Sequence, residues 1–312
     1  MRTPPAPVGR TAQRVQWQFL PAHVRALVVE HCGSPVVRAN SQGGGYTPGF
    51  ASVLTCEDGS RHFVKAAADK AQPVFADSYR EEARKLAALP PGVPAPRLLW
   101  AHDGDWVVLG IEHVTGRLPH RPWRDDELRR CLAAVEATTR TLSPAPPALA
   151  LDTFAAEFAG FAEAWSQVRV DRPDLPHLEE AAALAALFAD VTTGTSLVHT
   201  DIRDDNLILG NDGEVWICDW NWPVVGAPWL DTVFLLLAPH GDGVDADALL
   251  AELSLTRDVP AESVDVVLAL LCGYFFGQSR QPVPPTSPFL RQHQAWSGEA
   301  VWGWLSERRG WT

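Results

Sequence analysis

One histidine, two aspartates and an asparagine stand at spacings that suit phosphoryl transfer. In Val198-His199-Thr200-Asp201-Ile202-Arg203-Asp204-Asp205-Asn206-Leu207 an apolar run ends in a polar loop. After Asn211-Asp212-Gly213 a second run, Val215-Trp216-Ile217-Cys218, ends on Asp219, eighteen residues beyond Asp201. Moving a phosphoryl group from a nucleotide requires a carboxylate beside the attacking hydroxyl and oxygen ligands for the magnesium that bridges the phosphates. Asp201 offers the first, and Asn206 and Asp219 offer the second. A His-x-Asp-x4-Asn string alone also describes a polar turn; the flanking apolar strands and the strand end at Asp219 turn it into a chemical signal.

On these residues the chain resembles the aminoglycoside phosphotransferase family, relatives of choline kinase and of the protein kinases. The kinase wording H-R-D-L-x-x-x-N and D-F-G is changed here: Thr200 replaces the arginine, and Asp219-Trp220-Asn221 stands in place of the last triplet. That is closer to the small-molecule kinases. The resemblance spans about residues 35 to 240 and implies an α+β, bilobal protein-kinase-like fold. An N-terminal antiparallel sheet lobe with one main helix (1–110) would bind nucleotide, a hinge (111–116) would follow, and a larger, mostly helical lobe (117–312) would carry catalysis and substrate binding. It also implies ATP or GTP and Mg2+ as cofactors and a small hydroxyl-bearing acceptor: an aminoglycoside or other antibiotic, an amino sugar, a choline-like alcohol or a homoserine-like metabolite. Asp201 would accept or orient the hydroxyl proton, Asn206 and Asp219 would hold the metal, and His199 would brace the loop. Arg203 either neutralises the transferring phosphate or is sequestered by Asp204 or Asp205.

The first lobe must deliver a cation to this loop. Lysine is scarce: Lys65, Lys70 and Lys85 stand against 23 arginines. A lysine kept inside the apolar strand His62-Phe63-Val64-Lys65-Ala66 is one whose compact ammonium is needed. Asp77 to Leu89 reads as a helix with Tyr79, Ala83 and Leu86 on one face, and Glu82 borders that stripe. The resemblance gives Glu82 the role of pairing with Lys65; Glu81 is the competing candidate. Gly43, Gly44 and Gly45 lie between the strands Val36 to Arg38 and Phe50 to Cys56, where backbone amides could cover phosphates, although Pro48 breaks the G-x-G-x-x-G pattern. By its place along the chain, Glu112-His113-Val114-Thr115-Gly116 matches the family's hinge, whose backbone would bond the base.

The second lobe reads as helices at 125–141, 154–168 and 178–191, followed by the motif, a turn from Pro223 to Pro228, and a helix opening at Trp229. In the family an aspartate matching Asp231 braces the catalytic loop. Helices at 246–255 and 261–276, a proline loop and a tryptophan-rich helix complete the chain, and residues 1 to 12 read as a frayed tail.

Composition excludes several classes. The chain has 312 residues, 46% of them hydrophobic, and a net charge of −12, which argues against nucleic acid as a partner. Asp242, Asp245, Asp247 and Glu252 could meet a polycationic acceptor or merely form a solvated helix start. The five cysteines are widely spaced and suggest neither a zinc site nor a disulfide framework. No unbroken apolar span of membrane length and no leader is read, so no membrane association and a cytoplasmic location are expected. Two other readings stay open: a catalytically silent, kinase-like nucleotide-binding regulator, and a hydrolytic metal centre built on His199, Asp201 and Asp219.

Overall fold

The protein is described by a computed structural model over residues 4–5 and 11–311. Most of the tail expected at 1 to 12 lies outside these residues. Its last two, Thr11 and Ala12, are anchored, since both N–H groups donate to the Gly43 carbonyl (2.8 and 3.2 Å).

The first lobe is built on a five-stranded antiparallel sheet in the order β1-β2-β3-β5-β4. Its strands are β1 (Val36–Ser41), β2 (Phe50–Cys56), β3 (Arg61–Ala68), β4 (Leu98–Asp103) and β5 (Trp106–Glu112). Successive strand side chains point to opposite faces, and the two faces have different covers. Val64 and Ala66 of β3 pack with Val24 and Val28 of α1 (Ala22–Cys32), a helix closed by Gly33 at φ 72°. Ala67 of β3 and Leu109 of β5 pack on the other side with Tyr79 and Leu86 of α2 (Pro73–Ala88). Lys65 shares this second face. Helix α2 begins one turn before the expected Asp77 because Pro73 occupies the first turn, where its missing N–H is not needed. Its buried residues Ala76, Tyr79, Glu82 and Leu86 form a stripe that includes the glutamate.

The hinge expected at 111–116 is shorter in its irregular part. Ile111 and Glu112 complete β5, and β6 (Gly116–Arg117) joins β8 (Leu207–Gly210) and β9 (Val215–Ile217) in a small sheet, which leaves 113–115 as the crossing. Gly116 is required there: a Cβ would sit 2.4 Å from the Leu209 carbonyl oxygen.

The second lobe comprises α3 (Asp125–Thr141), α4 (Phe154–Glu157), α5 (Ala164–Asp171), α6 (Leu178–Ala185), α7 (Phe188–Val191), α8 (Leu230–Gly241), α9 (Ala246–Glu252), α10 (Ala261–Ser279) and α11 (Leu290–Arg309). Two expected helices are broken. Residues 158–163, with weak helix-former Gly160 among them, form turns between α4 and α5, and the 178–191 segment splits into α6 and α7. The expected turn from Pro223 to Pro228 contains β10 (Val224–Gly226), whose β-branched pair lies antiparallel to β7 (Ser196–Val198) and fixes the entry to the loop that follows at His199. Helix α10 is long and apolar enough to span a membrane by length and composition, yet 67% of that window is buried inside the protein. An apolar cluster continues from Tyr79, Leu86 and Leu109 into this lobe, so the lobes share a core.

Cys32, the last residue of α1, and Cys56 and His62, on either side of the β2–β3 turn, bring their donor atoms within 4.8 Å of one another. Cys32 is buried among apolar side chains, and burial pushes its thiol up to about 12.

Because a Cβ at 116 collides with backbone, Gly116→Ala should lower unfolding free energy by about 1–3 kcal/mol in urea titration. An unchanged midpoint and slope would show that β6 does not hold the crossing against β8.

Candidate active site

Lys65 reaches from the middle of β3, paired with Ala51 of β2 and Leu109 of β5, into the space between the lobes. Its Nζ donates to both Glu82 carboxylate oxygens (2.6 and 2.8 Å) and lies 3.4 Å from Asp219 Oδ1. The Lys65 side chain is 11% exposed and that of Glu82 only 2%, whereas Glu81 turns outward to Arg84. Burial works against the Lys65 charge, but Asp219 and Glu82 hold its pKa above the ordinary lysine value. Helix α2 makes further hydrogen bonds across the lobes: Lys85 Nζ donates to the Asn221 carbonyl (2.6 Å), Ser78 Oγ to the Asn221 side-chain oxygen (3.0 Å) and Arg84 to the Leu149 carbonyl (2.6 Å). The Asn221 amide in turn donates to Asp219 Oδ1. Burial favours a neutral Asp219, and Lys65 and this amide outweigh it, so the carboxyl stays below its usual range.

The loop 199–206 leaves β7 and is held from behind. Asp231, in the first turn of α8, accepts the backbone N–H groups of His199 (2.7 Å) and Thr200 (2.9 Å). Thr200 adopts φ 68° and Asp219 φ 64°, a region that costs energy for residues with a Cβ. Those bonds, with Thr200 Oγ1 to the Trp222 carbonyl (2.8 Å), maintain the conformation. Both nitrogens of His199 are occupied: Nε2 donates to the Cys218 carbonyl (3.1 Å), and Nδ1 accepts the Asp201 N–H (3.3 Å). One donor and one acceptor make a neutral ring, and burial lowers its pKa to about 4. His199 is therefore a brace with no nitrogen left to bind a metal.

Asp201 is held by two neighbours in its own loop. Asn206 Nδ2 donates to its carbonyl and to Oδ2, both at 2.9 Å, and Arg203 pairs with Oδ1. Burial pushes the Asp201 carboxyl up to about 6 against the pull of Arg203. Arg203 also pairs with Asp205, through Nε at 2.9 Å, so its guanidinium is shared between two carboxylates; Asp204 pairs instead with Arg121 (3.2 Å). Lys65, Asp201, Arg203 and Asp219 all line one interlobe cavity of about 560 Å³.

The glycine loop is strapped from a direction that the sequence pattern does not announce. Arg14 donates to the carbonyls of Gln42, Gly44 (2.8 Å) and Thr47 (2.6 Å), and Thr11 Oγ1 donates to that of Gly45. With these carbonyls engaged, the backbone N–H groups of 43–47 have no hydrogen-bond partner among the described residues, which is the arrangement an anion uses. Tyr46, at the end of this loop, stacks on His293 of α11 at 4.8 Å and faces Arg203. At the crossing, the Glu112 side chain pairs with Arg97 (3.0 Å), and its N–H bonds the Arg97 carbonyl. Among the described residues, His113 and Val114 use neither N–H nor C=O in a backbone hydrogen bond.

A model of a phosphotransferase enzyme family matches residues 49–262. No curated protein matches the chain. Solved structures do. A thermostable mutant of an aminoglycoside phosphotransferase, in ternary complex with ADP and hygromycin B, is similar at TM-score 0.63 and 13% identity, over 91% of this chain and 98% of that one. Choline kinase from Streptococcus pneumoniae gives 0.58 and 12%, over 90% and 100%. An aminoglycoside phosphotransferase from Alicyclobacillus acidocaldarius gives 0.53 and 15%, over 88% and 92%. These likenesses show the bilobal kinase-like fold.

The neutral, buried His199 has a consequence in pH. Its folded pKa of about 4 lies below the ordinary 6.5, so the unfolded chain takes up the proton first as pH falls. Stability from this group is present above pH 6.5 and is lost between 6.5 and 4, by up to about 3 kcal/mol. Urea unfolding at pH 7, 6, 5 and 4.5 should show a steeper loss for the wild type than for His199→Asn. Parallel curves would contradict the buried neutral ring.

Proposed function

This chain belongs to the phosphotransferase enzyme family, and from that premise we propose that it moves the γ-phosphoryl group of ATP or GTP to a hydroxyl of a small molecule. The observation that supports it is the single cavity in which an ammonium fixed by Glu82 faces two separately held carboxylates, Asp201 and Asp219. A regulator with no turnover has no need of all of them together.

In this reading Lys65 holds the nucleotide phosphates, and the unpartnered amides of 43–47 cover them. The base lies against the crossing, bonded by the free backbone groups of His113 and Val114. Asn206 and Asp219 are oxygen donors of the kind a hard divalent cation takes; Asn206 uses its Nδ2 on Asp201, so Oδ1 remains as the ligand atom. A Mg2+ ion held by Asn206 and Asp219 would supply positive charge against the phosphates. Asp201 takes the proton of the acceptor hydroxyl as the new O–P bond forms; the bond between the γ-phosphorus and its bridging oxygen breaks, and that electron pair leaves with the nucleoside diphosphate. Arg203 acts through Asp201, orienting the carboxylate and moderating its pKa. The reaction draws on the nucleotide pool of the cytoplasm, and the net charge of −12 disfavours nucleic acid as a partner.

Asp201→Asn should lower phosphoryl transfer by about 10²–10⁴-fold, while ADP or GDP affinity measured by calorimetry changes by less than about threefold. Full turnover in this variant would remove Asp201 from the mechanism.

A further inference from the structure

Resting on the phosphotransferase reading, we propose that the acceptor is an uncharged, ring-bearing alcohol with a mainly apolar surface, and that polycationic aminoglycosides are not its substrates. Three sets of residues lead there.

The first is the wall beside Asp201. Where the expected helix 154–168 breaks, Phe158 and Phe161 turn onto each other at 4.8 Å, and Phe161 stacks on Tyr274 of α10 at 4.1 Å with planes 3° apart. Tyr274, Phe158 and Phe161 line the same cavity as Asp201 and Arg203, so this aromatic surface borders the space through which the acceptor hydroxyl has to reach Asp201. Leu271 continues the wall. Aromatic and aliphatic surface of this extent gains most by burying apolar ligand atoms and gains little from a hydrated ammonium-rich sugar.

The second is the fate of the acidic residues that a polyamine would need. Asp242 is clamped by Arg121 (2.7 and 3.0 Å) and Asp245 caps the N-terminus of α9 through the Ala248 N–H (2.9 Å). Asp247 accepts from Trp304 Nε1 (2.9 Å) and from Arg308, and Glu252 pairs with Arg129 (2.8 Å). None of the four lines the cavity.

The third is the charge of the lining itself. Apart from Asp201 and Asp219, which the reaction uses, its carboxylates are Asp204, paired with Arg121, and Glu157 at an exposed position on α4. Arg121, already matched by Asp242 and Asp204, lies over the Trp296 ring at 5.0 Å, so this part of the lining offers an incoming ammonium no free negative charge. Such a wall holds a polycation poorly: several ammonium groups would lose their water, and outside the reacting pair they would meet only Glu157, exposed to solvent, as a carboxylate not already held by Arg121.

The test uses the full chain and two probes: Nile red, an uncharged aromatic dye followed by its emission, and kanamycin, a polyamine followed by calorimetry at low and high salt. Nile red should bind at micromolar concentration, its affinity should fall at least 10-fold in Phe161→Glu and in Phe158→Glu, and kanamycin should neither bind nor displace it. Two variants are used so that one failing to fold leaves the other to decide. Kanamycin binding that weakens steeply with salt, or dye binding unaltered in both variants, overturns the proposal. ADP and GDP titrations separate the two levels. Nucleotide binding together with kanamycin binding overturns the acceptor class alone, whereas a chain that binds no nucleotide overturns the phosphotransferase reading and this inference with it.

Discussion

A buried ammonium between two carboxylates from different lobes is the constraint on which the rest of this structure turns. Lys65 sits on the sheet, Glu82 on α2, and Asp219 beyond β9, so one cation fixes the sheet, the helix and the second lobe relative to one another. Such a cluster is a poor source of net stability, because desolvation offsets most of the attraction, but it is costly to disrupt: losing one partner leaves an unpaired charge at about 3–5 kcal/mol. Asn221 reinforces the same joint, tying Ser78 and Lys85 of α2 to the residue two beyond Asp219.

The second constraint is backbone conformation maintained by hydrogen bonds. Thr200 and Asp219 both lie at positive φ, one at the head of the 199–206 loop and the other just beyond β9. The carboxylate of Asp231 receives the two N–H groups that the bend at Thr200 exposes, and Lys65 and Asn221 converge on Asp219. Strain is thus located where carboxylates have to point inward, away from the main run of the chain.

Local periodicity made part of this visible in the sequence. The limits of β2 and α3 follow from clean patterns, whereas periodicity showed only that Glu82 borders the stripe of Tyr79, Ala83 and Leu86; its pairing with Lys65 was implied by the family resemblance, with Glu81 left as the competitor. The break at 158–163 was hidden, since Phe154, Phe158, Phe161 and Trp165 keep helical spacing through it and Gly160 is the sole local sign. Strand β10 was masked by the prolines at 223 and 228, because its pairing with β7 is a long-range fact. Arg14 left no trace: its partners are carbonyls about thirty residues away, and carbonyls carry no residue identity. For Arg203 the sequence offered Asp204 or Asp205 as the partner, and the loop geometry selects Asp205 together with Asp201 itself.

The central claim is that Lys65 and Glu82 act as one unit in positioning nucleotide. A double-mutant cycle with Lys65→Met and Glu82→Gln, read out as ADP or GDP affinity, tests it most directly. The account predicts strong non-additivity, a coupling of about 2 kcal/mol or more, because the second substitution has little left to remove. Effects that add within about 0.5 kcal/mol would show two independent residues and would contradict it.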